Sequence, residues 1–444
     1  MAAEMERSDP LTDFGDLLRP DDGPDAGGTP SAPRRGARIA WIVAGSLVLL
    51  LVLGAGGYVA WCLTAPVVKP TTTVATPPAL AADPVTVLAP TDGIYALEIE
   101  GADAYWGGPA VWNAGLDERR PIASISKLIT AMVVLDAHPL SGPSDSGPTI
   151  TFSKADADLY DKYYLLGATI MEMPEGSSLT ERDVLAALLL PSASNYAEAF
   201  ANWAFGSQSG FRSATADWLS AHGLSSTTIV EPTGINAENT STPRDMMTLA
   251  RLAAADETIA SIAGSQTVVL STGLSVSNTN DMLGVDGITG LKTGNLGLGT
   301  YNLLYTAAFE VTPGTPVTAI GVTLGGATRT SLDAAVQRFL ESIQSGFQTV
   351  PLSSAGRNVG HVTTPWGSEA DLVIRDESSI LVWSDTPITV EMNTSPPTEF
   401  RDGEVVGSIT WTAGPNTVSS DVVVRGDIRP PDAAWRLTHP DQLG

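Results

Sequence analysis

The stretch "PIASISKLIT", Pro121 to Thr130, sets Ser124 three residues ahead of Lys127 at the entrance to an apolar run. Apolar residues recur at 125, 128, 129, 132 and 135, a helical period over residues 124–137. On a helix, positions i and i+3 share a face, so the two side chains can touch. Either the lysine snorkels to the surface, or it is there to take the serine's proton. A lysine buried at the positive end of a helix has a lowered pKa, because desolvation and the dipole both disfavour the ammonium. S-x-x-K alone is too common to decide between these readings.

Outward from this stretch, residues 93–348 alternate strand and helix signals. "GIYALEIEG" reads as a strand. "LTERDVLAALLL" opens with Thr180 as N-cap and Asp183 three positions on, a capping-box variant, and Pro191 ends it. "NYAEAFANWAFG" resumes a helix that Gly206 can close, and "STPRDMMTLARLA" has Thr242 as cap with Pro243 at the first helical position. "GITGLKTG", "TYNLLYTAAFE" and "VTAIGVTLGG" read as strands joined by short links, followed by the helix "SLDAAVQRFLESIQSGF". The expected class is α/β, an antiparallel sheet covered by helices. Residues 349–444 turn to short β runs at the spacing of a small β-sandwich.

The N-terminal part is of a different kind. "IAWIVAGSLVLLLVLGAGGYVAWCL", residues 39–63, has no charge and is long enough to cross a bilayer core of about 30 Å. Trp41 and Trp61 mark its ends, and Arg34, Arg35 and Arg38 precede it, so the positive-inside rule puts the N-terminus in the cytoplasm. Residues 1–38 form an acidic, Pro/Gly-rich tail expected to be disordered, and residues 64–92 a Pro/Thr-rich stalk. The net charge of −25 excludes nucleic acid as a partner and leaves apolar insertion as the route to a bilayer. Cys62 is the only cysteine, so no intrachain disulfide and no thiol nucleophile in the outer domain are expected. His138, His222, His361 and His439 are scattered without metal-ligand spacing, and no metal or cofactor is expected.

Two later motifs reopen the question of Lys127. "LLLPSASN" puts Ser192 in a tight turn after a leucine-rich helix. "GITGLKTGN" puts Lys292 and Thr293 on a strand, with Gly294 leaving the backbone open to close approach. Singly each is weak; together, in this order, they match the serine, loop and K-T-G set of penicillin-binding proteins and class A β-lactamases. The chain resembles a low-molecular-mass penicillin-binding protein of the serine D-alanyl-D-alanine carboxypeptidase family. The resemblance spans residues 93–349 and is strongest in "RRPIASISKLITAMVVLDA", "LTERDVLAALLLPSASNYAEAFA", "EPTGINAENTSTPRDM" and "GITGLKTGN". The β-rich tail is similar to the family's extra C-terminal domain.

That resemblance implies a β-lactamase/transpeptidase-like catalytic domain whose nucleophilic serine is acylated by a stem peptide of peptidoglycan ending in D-Ala-D-Ala. β-Lactams would be covalent inhibitors. Carried onto this chain, Ser124 is the nucleophile, Lys127 its base, and Ser192 a proton relay toward the leaving amine. Lys292 would help keep Lys127 neutral and attract the substrate carboxylate, which Thr293 would hydrogen-bond. The N–H groups of Ser124 and Asn295 would form the oxyanion hole, and Arg329 is a second candidate carboxylate contact.

The chain departs from the family at one place. The middle motif is usually Ser-x-Asn, whereas here Ser194 stands where the asparagine is expected and Asn195 follows. A hydroxyl is shorter than an amide, with one donor, so activity is reduced unless Asn195 swings in. Two alternatives stay open. One is a β-lactamase with Glu231 as deacylation base, although "EPTGIN" reads as a structural turn. The other is a non-hydrolytic domain that binds penicillin or wall peptide.

Overall fold

The computed structural model describes residues 35–312, 314–399 and 401–444. The acidic tail therefore lies outside the described residues apart from its last four positions. Inter-residue contacts divide the rest into two units, one made of the chain up to Lys69 with Pro430–Gly444, the other of Pro70–Arg429.

The first unit is built on helix α1, Arg35–Thr64, long and apolar enough to cross a membrane and with its apolar side chains exposed. Its C-terminal carbonyls need donors. Arg436 supplies them from the short helix Ala433–Thr438, donating to Cys62 O at 3.2 Å and Ala65 O at 2.8 Å. The last fifteen residues, expected within the β-rich domain, thus pack with the apolar helix instead.

The second unit contains a five-stranded antiparallel sheet. Its strands are β1 (Ile94–Glu100), β2 (Ala110–Ala114), β3 (Ile288–Gly294), β4 (Tyr301–Thr312) and β5 (Thr315–Gly326), in the order β3-β4-β5-β1-β2. Alternate side chains enter two different cores, as a period of two requires. Leu303, Tyr305, Val317 and Ala319 face Leu332, Val336 and Phe339 of the C-terminal helix, Arg329–Gln344. Leu304, Ile320, Val322 and Leu324 face the larger helical core. That core is formed by α2 (Ser126–Ala137), α3 (Glu181–Leu189), α4 (Ser194–Phe205) and α5 (Pro243–Ala255), with α6 being the C-terminal helix already named. The expected caps are present at Thr180 and Thr242, which accept from Asp183 N and Asp245 N at 3.2 Å. The capping box at Thr180 is only half made, because Asp183 turns away to accept from Ser271 N.

From Phe347 to Arg425 the regular elements among the described residues are all β strands. A six-stranded sheet and the two-stranded pair Phe347–Ser353 with Ser378–Trp383 enclose a core around Trp411, Leu352 and Ile380. The segment read as a stalk is extended, yet it lies along this domain. Thr71–Val74 adds an edge strand against Asn358–Thr363, and Val85 N donates to Ser384 Oγ at 2.9 Å. Backbone donors of a Pro/Thr-rich segment are satisfied there by protein rather than solvent.

Candidate active site

A cleft of about 620 Å³ opens where the start of α2, the turn before α4 and the end of β3 meet. Ser124, Lys127, Ser192, Ser194, Thr293, Gly294, Asn295 and Arg329 line it. Ser124 sits in a short 3-10 turn, Ala123–Ile125, just ahead of α2, so the i, i+3 relation holds across the junction. Ala123 has φ +49° and Ser192 has φ +67°, both in the left-handed region that L side chains rarely adopt. Strained backbone thus stands at both serine corners of the cleft.

Lys127 does not reach the surface. It is 1% exposed, and its Nζ donates to Ser124 Oγ at 3.1 Å and to Thr233 O at 2.7 Å. Burial lowers its pKa to about 7, while the Glu231 carboxylate pulls the other way. The snorkelling reading of the opening stretch therefore fails: the ammonium ends in the wall of the cleft, bonded to Ser124 and Thr233.

Lys292 is also 1% exposed and donates to Thr293 O at 3.2 Å. Burial, then the charges of Lys127 and Arg329, hold it well below the ordinary lysine value. It is not among the residues lining the cleft, so its charge acts on the cleft from behind the wall. Thr293 does face the cleft, 3.2 Å from Thr279 Oγ1. Gly294 permits the approach expected of it: a Cβ there would lie 3.0 Å from Ser124 N and 2.8 Å from Ile122 O.

Arg329 heads α6 and donates from Nη1 to Thr279 O at 2.7 Å and to Asp281 Oδ2 at 3.2 Å. Thr279 was not foreseen; its place beside Thr293 depends on a loop fourteen residues earlier in the chain, with no local motif.

The middle motif is resolved in part. Ser194 lines the cleft, and its N–H donates to Thr169 O at 2.8 Å. Ser192 Oγ is buried without a hydrogen-bond partner among the described residues. Asn195 is fully buried on the other side of α4, where its amide holds Met171. The expectation that Asn195 binds substrate or swings into the cleft is overturned, because one step along a helix turns a side chain by about 100°.

Glu231 is spent on its own loop. Its carboxylate accepts from Thr233 N, Thr233 Oγ1 and Gly234 N, each at 2.7 Å, and from Asn239 Nδ2 at 3.2 Å. It is absent from the cleft lining.

A serine held by a buried, partly neutral lysine in a cleft rimmed by hydroxyls and one guanidinium is suited to acyl transfer from a substrate with a carboxylate end. Sequence comparisons point to the same class. A sequence model of the family described as D-alanyl-D-alanine carboxypeptidase, peptidase S11, matches residues 107–327. The chain belongs to this family. A D-alanyl-D-alanine endopeptidase of Pseudomonas aeruginosa is 32% identical over 142 residues, 32% of this chain and 42% of that protein. A D-alanyl-D-alanine carboxypeptidase of Bacillus subtilis is 23% identical over 336 residues, 72% of this chain and 83% of its own. Among solved structures, the Streptomyces K15 DD-transpeptidase is 25% identical with a TM-score of 0.47, covering 59% of this chain and 98% of that one. The chain spans about two fifths of the length of the curated endopeptidases it matches.

Proposed function

We propose that the chain is a penicillin-binding serine D-alanyl-D-alanine carboxypeptidase held at the membrane by helix α1, with its N-terminus cytoplasmic and the catalytic unit outside. The observation that carries this reading is the 3.1 Å hydrogen bond from Lys127 Nζ to Ser124 Oγ inside the cleft shared with Thr293, Gly294 and Asn295.

In this reading neutral Lys127 takes the Ser124 proton as Oγ attacks the carbonyl between the two D-Ala residues. The oxyanion settles between the N–H groups of Ser124 and Asn295, each donor worth about 3 kcal/mol. Ser192 Oγ, which lacks another partner, passes the proton to the departing D-Ala amine. Thr293 and Arg329 receive the terminal carboxylate, with Lys292 contributing field from behind the wall. Water then releases the shortened peptide and restores Ser124. A β-lactam follows the same first step and stays attached.

The β-lactamase alternative loses support, since the Glu231 oxygens are turned toward their own loop's donors. A second reading, D-alanyl-D-alanine endopeptidase, is favoured by the relative that carries that name. Intact mass after penicillin treatment tests the chemistry: one adduct on the wild type and none on Ser124→Ala are expected. An adduct that survives Ser124→Ala refutes it. Release of free D-Ala from a pentapeptide, against cleavage of a cross-linked dimer, separates carboxypeptidase from endopeptidase.

A further inference from the structure

We propose that Glu231 is the positioning residue of the general base: its carboxylate shapes the loop whose carbonyl grips Lys127 and sets a negative charge behind that lysine. The inference rests on the reading of Lys127 as base.

The loop 230–239 is wound around this one carboxylate. Besides the donors at Thr233, Gly234 and Asn239, Asn236 N donates to it at 3.3 Å. Asn239 closes the ring, donating from Nδ2 to Glu231 O at 2.8 Å and accepting Val230 N at 2.8 Å. So shaped, the loop clamps the start of α2 at four points. Pro232 O accepts from Thr130 Oγ1 at 2.8 Å, and Thr233 O accepts from Lys127 Nζ at 2.7 Å. Asn239 Nδ2 donates to Ser126 Oγ at 3.0 Å, and Ile122 N donates to Asn239 O at 3.0 Å. Gly234, at φ +83°, lies so close to Ala123 that a Cβ would sit 1.9 Å from its carbonyl oxygen.

The charge has a second effect. Two charged neighbours interact with Lys127, Glu231 on this loop and Lys292 on β3, and Lys292 in turn feels Arg329 at the head of α6. Behind Glu231, Tyr163 and Lys162 donate to Glu198 of α4. Among the groups that shift Lys127, Glu231 favours its ammonium, opposing burial. Without that carboxylate, burial acts unopposed and the lysine becomes a weaker base.

The sign of one titration separates a carboxylate that acts on Lys127 by its charge from one that only holds the loop closed. The chain has five lysines, so their Cε signals can be resolved in 13C-lysine-labelled full chain in detergent micelles, with Lys127 assigned through Lys127→Ala. Wild-type Lys127 should titrate near pH 7. In Glu231→Gln the midpoint should fall by about one unit, a tenfold change in the ammonium-to-amine ratio. In Glu231→Asp, which withdraws the charge by one methylene, it should fall by less. The acid limb of acylation by penicillin should move with it, and the maximal rate in Glu231→Gln should drop about tenfold as Thr233 O loosens its grip. A midpoint unmoved in both variants overturns the proposal. So does a rise toward the ordinary lysine value, the mark of a loop that merely opens and wets Lys127. Glu231→Asp decides the matter alone if Glu231→Gln does not fold. A wild type that titrates as stated but is not acylated would remove the proposed function, and with it the base that Glu231 positions, whereas an acylated wild type with an unmoved midpoint in the variants overturns this inference alone.

Discussion

Asn195 grips the backbone of Met171 from both sides, accepting its N–H at Oδ1 (3.2 Å) and donating Nδ2 to its carbonyl (2.8 Å). Tyr196 adds a bond from its hydroxyl to Glu172 O at 2.8 Å. Helix α4 thereby pins the segment that follows the cleft lip at Leu166–Thr169, while Ser194 alone of the pair lines the cleft. The amide at 195 is taken up by the Met171 backbone while Ser194 lines the cleft, so the two positions are not interchangeable.

From this follows a gain of function. Ser194→Asn puts a longer group with two donors and an acceptor at the wall facing Ser124 and Lys127. Acylation by a fluorescent penicillin should accelerate several-fold, read as the second-order labelling rate; an unchanged rate counts against this account. Asn195→Ala should act differently, taking the amide partners from the half-buried N–H and C=O of Met171, at up to about 1–3 kcal/mol each, and lowering the melting temperature.

The pH dependence of acylation should be set by a lysine. With Lys127 drawn down to about 7 by burial, the fraction of free amine, and hence the rate, rises with pH through that value. His138 packs on Trp203 and His222 on Trp218, outside the cleft. The acid limb should therefore stay in place in His138→Gln and His222→Gln when labelling is followed from pH 5.5 to 9. A limb that moved with either histidine would assign the base elsewhere.

What the sequence disclosed and what it hid divide by range. The caps at Thr180 and Thr242, the period of α2 and the close approach at Gly294 are local, and each follows from a few neighbouring residues. The direction of Asn195, the laying of residues 71–74 on the β domain, and the use of Glu231 depend on partners brought in by the fold. Lys127 shows the boundary well. Its spacing from Ser124 was legible, but its buried acceptor, Thr233 O, comes from 106 positions on, and no local pattern announces that.

Thr279 should contribute to recognition of the substrate's carboxylate end. Its hydroxyl is 3.2 Å from that of Thr293, and its carbonyl holds Arg329 at 2.7 Å. Thr279→Val deletes the hydroxyl and keeps both the shape and the carbonyl. KM for D-Ala release should rise about tenfold, the worth of one hydrogen bond to a charged group, with kcat less affected. An unchanged KM would leave Thr279 as scaffold.

Glu181 offers a test of stability away from the cleft. It is 1% exposed, its Oε1 has no hydrogen-bond partner among the described residues, and burial, then the Asp145 charge, raises it to about 7 from 4.5. The folded chain therefore holds a proton between about pH 4.5 and 7 that the unfolded chain has released. Stability falls as pH rises through that window, and the loss is complete above it. Glu181→Gln removes the titration and keeps the shape. At pH 8 the variant should be the more stable by roughly 3.5 kcal/mol, from a rise of about 2.5 pKa units at about 1.4 kcal/mol each, and the gap should close by pH 5. Thermal unfolding of both proteins at the two pH values checks this, and a gap of equal size at pH 5 and pH 8 would show that the carboxyl stays charged throughout.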